Sequence, residues 1–204
     1  MIIYKNFTMN VGYNMSNYYD MNAKEYIEGT INCDMSFHYQ KFLNYLHKPC
    51  KILDVGFGSG RDMIYFKSLG YNVEGIDTSI EFIKNIKNQG FNATLMSVTE
   101  MNYKNQFDAI WACASLLHIK RNELEQVILK CIHALKKEGI MYCSFKYGNC
   151  EYYNKNRYFN NIDENIMNEI ANKYKLKILE MYISNDIRKH REKELWINFI
   201  LISN

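Results

Sequence analysis

Lys51-Ile-Leu-Asp-Val55 is a short apolar run, and Gly56-Phe-Gly-Ser-Gly60 ends it in three closely spaced glycines. The residues from 60 to 69 then carry a helical pattern that Gly70 stops. A strand, a glycine bend and a helix in that order open a βαβ crossover. Working outward, the alternation continues. Asn72–Asp77 reads as a second strand, and Thr78 with Glu81 three positions on forms a capping-box signature for a helix that Gly90 ends. Residues 93–98 give a third strand and Phe107–Cys113 a fourth. In 122–136 the apolar residues Leu124, Val127, Ile128, Cys131, Ile132 and Leu135 follow the 3.6-residue period of a helix. Gly139 precedes a fifth strand, Ile140–Phe145, and Asn161 caps a helix carrying Ile162, Ile166, Ile170 and Tyr174. Two apolar runs, 176–184 and 194–202, close the chain with strand character and no helix between them. The alternation from 51 to 146 predicts a doubly wound α/β sheet of parallel, right-handed crossovers, with the last two strands as an antiparallel edge hairpin.

Ahead of Pro49 the chain reads as helical. Ala23, Tyr26, Ile27 and Thr30 share one face, and Met35, His38, Phe42, Tyr45 and Leu46 share another. Residues 1–48 are therefore expected to form a helical segment, and residues 49–204 a single globular unit. The 204 residues, 48% hydrophobic and 23% charged, suit one core that needs no staple. No apolar stretch is long enough to span a bilayer, and Met1–Ser16 lacks the layout of a secretory signal, which points to a cytoplasmic protein. Twenty-five basic residues against 22 acidic ones give a net charge of +3 with no clustered stripe, so a nucleic-acid partner is not expected. The densest basic group, Arg188, Lys189, His190, Arg191 and Lys193, reads as a solvated loop. Six cysteines without CxxC spacing read as reduced thiols, and no metal site is expected.

An open parallel sheet binds ligands at the carboxyl ends of its strands, where strand order reverses. The glycine bend lets backbone amides approach a ligand, and the following helix presents its amino terminus. Asp77 ends the second strand 17 residues after Gly60, where a carboxylate can accept hydrogen bonds from both hydroxyls of a ribose. A dinucleotide fingerprint would need glycine at position 61, where Arg61 stands, and no GxxxxGK[ST] follows. A ribose-bearing cofactor other than a dinucleotide is what remains.

ILDVGFGSG, the strand-end GID, FDAIWACASLLH and ALKKEGIMYCSF occur in this order over a resemblance spanning about residues 18–204. In them the chain resembles the class I S-adenosylmethionine-dependent methyltransferases, in particular a small bacterial tellurite-resistance-type and general methyltransferase-domain group. The resemblance implies a Rossmann-like seven-stranded sheet, mostly parallel, under a helical amino-terminal lid. It implies that Asp54, Gly56, Gly58 and Gly60 line the methionine part of the cofactor, that Asp77 binds the ribose hydroxyls, and that Thr78 and Ser79 border the adenine. Ser97 and Val98 stand where the family often has an acidic adenine partner, and Phe57 replaces a small residue and narrows the pocket. Ala112, Ala114 and Ser115 are expected beside the reactive methyl group, and Tyr19, Tyr26 and Thr30 on the lid. A sulfonium over a tyrosine face is favourable. His118 is the candidate base, because imidazole titrates near neutrality. Ser115, His118, Lys146, Tyr147 and Arg157 are the candidate acceptor-binding residues, with Tyr158 and Asp186 flanking the same strand ends, and the cations Lys146 and Arg157 favour an anion. The expected activity is in-line methyl transfer from S-adenosylmethionine to a small molecule, leaving S-adenosylhomocysteine, by a monomer or homodimer. An RNA- or protein-directed methyltransferase and a non-catalytic S-adenosylmethionine-binding protein are the alternatives.

Overall fold

The computed structural model describes residues 15–203. Residues 1–14, which carry most of the segment weighed above for a secretory signal, lie outside the described residues. Three short helices come first, α1 (Met15–Met21), α2 (Ala23–Thr30) and α3 (Ser36–Leu43). The alternating region follows as β1 (Lys51–Val55), α4 (Arg61–Ser68), β2 (Asn72–Asp77), α5 (Ile80–Asn88) and β3 (Asn92–Leu95). It continues through β4 (Phe107–Ala112), α6 (Arg121–Ala134) and β5 (Leu135–Lys146). The chain then forms β6 (Glu151–Asn154), β7 (Arg157–Asn160), α7 (Glu164–Tyr174), β8 (Lys177–Asn185) and β9 (Leu195–Ile202).

Seven strands form one sheet in the order β3-β2-β1-β4-β5-β9-β8. The first five in that order run parallel, and β9 lies antiparallel to both β5 and β8. Order reverses between β1 and β4, so the carboxyl ends of these two strands border one crevice. Side chains alternate across the sheet with period two. Leu53, Ile110, Met141 and Phe199 go to the face covered by α6 and α7. Their neighbours Ile52, Trp111, Tyr142 and Ile200 go to the face covered by α3, α4 and α5. Both faces are dry, as a parallel sheet between helical layers requires. No helix among the described residues is long and apolar enough to cross a membrane.

Several boundaries differ from expectation for identifiable reasons. The cap of α5 is Ser79, whose hydroxyl accepts from the Phe82 amide, and not Thr78. The Asp77 carboxylate accepts from the Ser79 amide (2.9 Å), which holds residue 78 in the turn and delays the helix by one position. Asp163 caps α7 in place of Asn161, because Ile162 is held extended by its amide bond to the Lys146 carbonyl (3.0 Å). β3 stops at Leu95, and Ser97 opens a turn by accepting from the Thr99 amide. The hairpin of β6 and β7 is unforeseen in the sequence reading. Lys155 and Asn156, at φ +48° and +62°, make its turn.

Candidate functional site

The bend between β1 and α4 is built by close approach. Gly56, Gly58 and Gly60 have φ of +72°, +55° and +81°. The Gly56 amide donates to the Ile76 carbonyl (2.8 Å), tying the bend to the end of β2. A Cβ at position 56 would stand 2.5 Å from Ser115 Cβ, and one at 58 would stand 2.9 Å from a Tyr26 ring carbon. Asp77 turns toward this bend. One of its oxygens accepts from the Gly58 amide (2.9 Å) and the other from the Ser79 amide. Burial raises its pKa to about 6 against the pull of the Ser79, Gly58 and Thr78 amides.

Two cavities open beside the bend. The first lies over β1, β2 and the end of β3, with Asp77, Thr78 and Ser97 as polar lining and Phe82, Met96, Val98 and Ile119 as apolar walls. The second, about 950 Å³ with its open mouth, is lined in part by Thr30, Phe57, Arg61, Lys146, Arg157 and Phe159. Tyr19, Tyr26, Gly56, Ala114 and His118 line both, so the two spaces abut at these residues.

At the junction His118 is fixed from both sides. Its Nδ1 lies 2.7 Å from the Tyr158 carbonyl oxygen, which can only accept, so Nδ1 carries the proton. Nε2 is left to accept from the Tyr19 hydroxyl at 2.7 Å. Burial depresses the His118 pKa to about 4, Arg157 and Lys146 add to the fall, and the Tyr158 bond opposes it. The imidazole is therefore neutral near pH 7. Helix α1 is also latched by Asp20, which accepts from the Ser79 hydroxyl (2.6 Å) and the Glu81 amide (3.3 Å). The Arg157 guanidinium lies 4.5 Å above the Tyr18 ring.

Of the residues singled out in the sequence, Tyr19, Tyr26, Thr30, Gly56, Phe57, Gly58, Asp77, Thr78, Ser97, Val98, Ala114, Ser115, His118, Lys146 and Arg157 line one cavity or both. Asp54, Gly60, Ser79 and Ala112 do not; Ser79 is wholly buried as the cap of α5, its hydroxyl donating to Asp20. Asp54 is buried beneath the bend with Oδ2 lacking a hydrogen-bond partner, and burial raises its pKa. A Cβ at Gly60 would meet Ile86, and Ala112 belongs to the core. Tyr147 stands apart at the surface with its hydroxyl on Glu164, because it is one step of the strand alternation past Lys146. Lys146 reaches the cavity already paired with Glu194 at 2.6 Å.

The basic group at 188–193 is not simply solvated. Arg188 and Arg191 line the second cavity, pairing with buried Asp186 and with Glu194. A further cluster was missed. Asp62 accepts from Arg61 Nε (2.6 Å) and Nη2 (3.0 Å), from the Tyr39 hydroxyl (2.5 Å) and from Trp111 Nε1 (2.8 Å). Its one sequence signal is Arg61 directly after the last glycine of the bend.

The family profile described as tellurite resistance protein TehB matches residues 20–143. The probable S-adenosyl-L-methionine-dependent methyltransferase TehB of Haemophilus influenzae (strain 10810) is 30% identical over 86 residues. That stretch covers 39% of this chain and 30% of the relative, so the match spans less than a third of that protein's length. The solved 1,6-didemethyltoxoflavin-N1-methyltransferase of Burkholderia thailandensis, with bound 1,6-didemethyltoxoflavin and S-adenosylhomocysteine, superposes with a TM-score of 0.77 at 15% identity. The superposition covers 93% of this chain and 87% of that one. TehB from Haemophilus influenzae superposes with a TM-score of 0.70 at 18% identity, over 91% of this chain and 66% of that one. At these identities the structures establish the shared fold.

Proposed function

Since the chain belongs to the family of the tellurite resistance protein TehB, we propose that it transfers a methyl group from S-adenosylmethionine to a small-molecule acceptor in the cytoplasm. The observation that carries this reading is the meeting of two cavities at Gly56, Ala114, Tyr19, Tyr26 and His118. One space suits a nucleoside and the other a second reactant, and a group passed between them must cross at that wall.

The residues present fit the cofactor. Each Asp77 oxygen accepts one amide bond and keeps lone pairs for ribose hydroxyls. Phe82, Met96, Val98 and Ile119 offer apolar faces to a purine, with the Thr78 and Ser97 hydroxyls at its rim. The glycine bend, with Gly56 on the wall of both cavities, admits a sulfur-bearing arm. Bound there, S-adenosylmethionine supplies a methyl carbon made electrophilic by its sulfonium. Displacement at such a carbon depends on alignment, which the walls of the junction impose. The Tyr19 and Tyr26 rings border the crossing, and the α1–α2 lid over it keeps water out.

Acceptors that must lose a proton have a route for it. The proton goes to the Tyr19 oxygen while the Tyr19 proton moves to His118 Nε2. Arg157 and Lys146, which weaken the imidazole as a base, acidify a proton-bearing acceptor in the same cavity by the same field. Arg157 keeps a buried Nε with no hydrogen-bond partner, which favours an acceptor with an anionic or strongly accepting group. The heterocycle bound to the Burkholderia thailandensis relative supports a small-molecule acceptor.

Calorimetry with S-adenosylmethionine and S-adenosylhomocysteine tests the cofactor. S-adenosylhomocysteine formation with a panel of neutral heterocycles, phenols and oxyanions, tellurite included, tests the acceptor. Failure to bind either nucleoside would reject the reading. Unchanged turnover of every anionic acceptor in the double variant Lys146→Ala and Arg157→Ala would reject the anionic preference.

A further inference from the structure

The second cavity runs across the sheet from the wall it shares with the first. Ala114, just past β4, gives its amide to the Ser144 hydroxyl of β5 (2.9 Å). Ser144 stands opposite Asn198 of β9, whose Nδ2 donates to the Ser184 hydroxyl of β8 (3.0 Å). Ser144, Asn198 and Ser184 all line the cavity, so they form a row along its floor. Neighbouring strands lie about 4.8 Å apart, and the three steps from β4 to β8 give that floor a length of about 14 Å. The row carries no charge. Asn198 accepts from the Tyr142 hydroxyl at Oδ1 (2.7 Å) and donates to the Tyr182 carbonyl from Nδ2 (3.2 Å), which fixes its amide. His38, beside Tyr182, is neutral near pH 7 because burial lowers its pKa to about 4.

The rest of the cavity is cationic. Arg61, Lys146, Arg157, Arg188 and Arg191 line it, and the carboxylates paired with them are three, Asp62, Asp186 and Glu194. Arg157 is the one of these cations with no ion pair among the described residues, and its Nε is buried without a hydrogen-bond partner. Its guanidinium lies 4.5 Å from the centre of the Tyr18 ring and 5.2 Å from that of Phe159. A guanidinium steadied on rings keeps the fork that grips a carboxylate. Burial raises the Tyr19 pKa and lowers that of His118, and Arg157 acts on both, which places it at the crossing between the cavities. An acidic group held there stands next to the atom that receives the methyl group. The remainder of such a molecule extends over the uncharged floor, beside the rings of Phe57, Tyr142 and Trp196. We propose that the acceptor is an elongated aromatic acid, gripped at its anionic group by Arg157 and laid along the Ser144–Asn198–Ser184 row. A bare inorganic oxyanion fills little of that length and is not its substrate. The assignment rests on the methyltransferase reading above and narrows it to one acceptor class. A hydroxyl beside the acid group takes the methyl: its oxygen–carbon bond forms as the sulfur–carbon bond breaks, and its proton leaves through Tyr19 to His118 Nε2.

The test is calorimetry on the chain saturated with S-adenosylhomocysteine. The probes are 3-hydroxy-2-naphthoate, its amide 3-hydroxy-2-naphthamide, salicylate and tellurite. The naphthoate should bind roughly 10-fold or more tightly than the amide, the worth of a charge-assisted hydrogen bond. It should exceed salicylate by roughly 5-fold or more, because its second ring is buried along the floor. Tellurite should bind more weakly than the naphthoate. In Arg157→Gln the acid-to-amide ratio should fall to roughly 2-fold or less, with affinity for the amide unchanged. Arg157→Met is the second variant, and binding of S-adenosylhomocysteine reports that either variant is folded. An amide that matches the acid on wild type, or a ratio that survives in whichever variant binds S-adenosylhomocysteine, overturns the assignment. So does salicylate that matches the naphthoate, tellurite that outbinds it, or a chain that binds S-adenosylhomocysteine and neither acid. A wild-type chain that does not bind S-adenosylhomocysteine overturns the methyltransferase reading itself, and the acceptor assignment with it.

Discussion

Replacing Gly56 with alanine sets a methyl group 2.5 Å from Ser115 Cβ. Non-bonded carbons rest at about 3.5–4.0 Å, and Ser115 Cβ is too close to its own backbone to give way alone. Two costs add. Holding alanine at φ +72° costs about 1–2 kcal/mol, and forcing an overpacked contact about 1–3 kcal/mol more. The total of about 2–5 kcal/mol corresponds to a fall in Tm of roughly 4–20 °C for a chain of this length. Gly90 supplies the control. Its φ is +77° but a Cβ there meets nothing within 4 Å, so Gly90→Ala isolates the backbone cost, roughly 2–8 °C. Any strain relieved in Gly56→Ala must displace the loop of Ala114, Ser115 and His118, so affinity for S-adenosylhomocysteine should fall by at least about tenfold. The measurements are thermal unfolding of both variants and calorimetry with that ligand. If Gly56→Ala loses no more stability than Gly90→Ala and binds normally, the close approach at the bend is not what shapes the site.

Three further outcomes are expected. Gly29→Ala, in helix α2 with open space at its Cβ, should raise stability by about 0.5–1 kcal/mol in thermal or denaturant unfolding. Ribose hydroxyls donate to the ionised form of Asp77, so S-adenosylhomocysteine affinity should rise as pH rises through about 6, and Asp77→Asn should abolish that inflection. His118 and His38 are held near pKa 4, below the ordinary 6.5, by burial. Their neutral forms therefore support the fold above pH 6.5, and that support drains away as pH falls toward 4, by up to about 1.4 kcal/mol per pH unit for each. Asp77 works in the opposite sense over that window, so the comparison is of slopes: His118→Gln should flatten the acid side of a Tm-against-pH curve relative to wild type.

What the sequence made legible was local. The strand at 51–55, the glycine bend and the helix from 122 are each set by nearby residues, and each stands close to where the pattern puts it. Asp77 was legible too, since a carboxylate at a strand end is placed by the strand itself. Boundaries failed where tertiary bonds decide them, as at Ser79 and Asp163. The β6–β7 hairpin escaped because its turn is built from Lys155 and Asn156 without a glycine. Arg188 and Arg191 read as solvated because their partners, Asp186 and Glu194, stand in the same polar run, and only the folding of that loop over the sheet buries the pairs. Tyr19 on His118 joins residues 99 positions apart, a contact no local pattern encodes. Arg61 was visible as a departure from a dinucleotide fingerprint, but the Asp62 carboxylate that holds it is fixed by Tyr39 and Trp111, which depends on α3 and β4 converging.

The chain has two tryptophans, and each gives its indole proton to a carboxylate on the wall of the same cavity, Trp111 to Asp62 and Trp196 to Asp186. Trp111 is also stacked on Tyr142 with ring centroids 3.9 Å apart and is wholly shielded, while Trp196 is partly open to water. The molecule thus carries two native fluorophores with separable emission, a blue-shifted one beneath the β1 end of the cavity and a red-shifted one at the β9 end. Quenching by acrylamide should reach only the second, so a titration followed by light alone should separate a ligand settling at the β1 end of the cavity from one arriving beside Arg188.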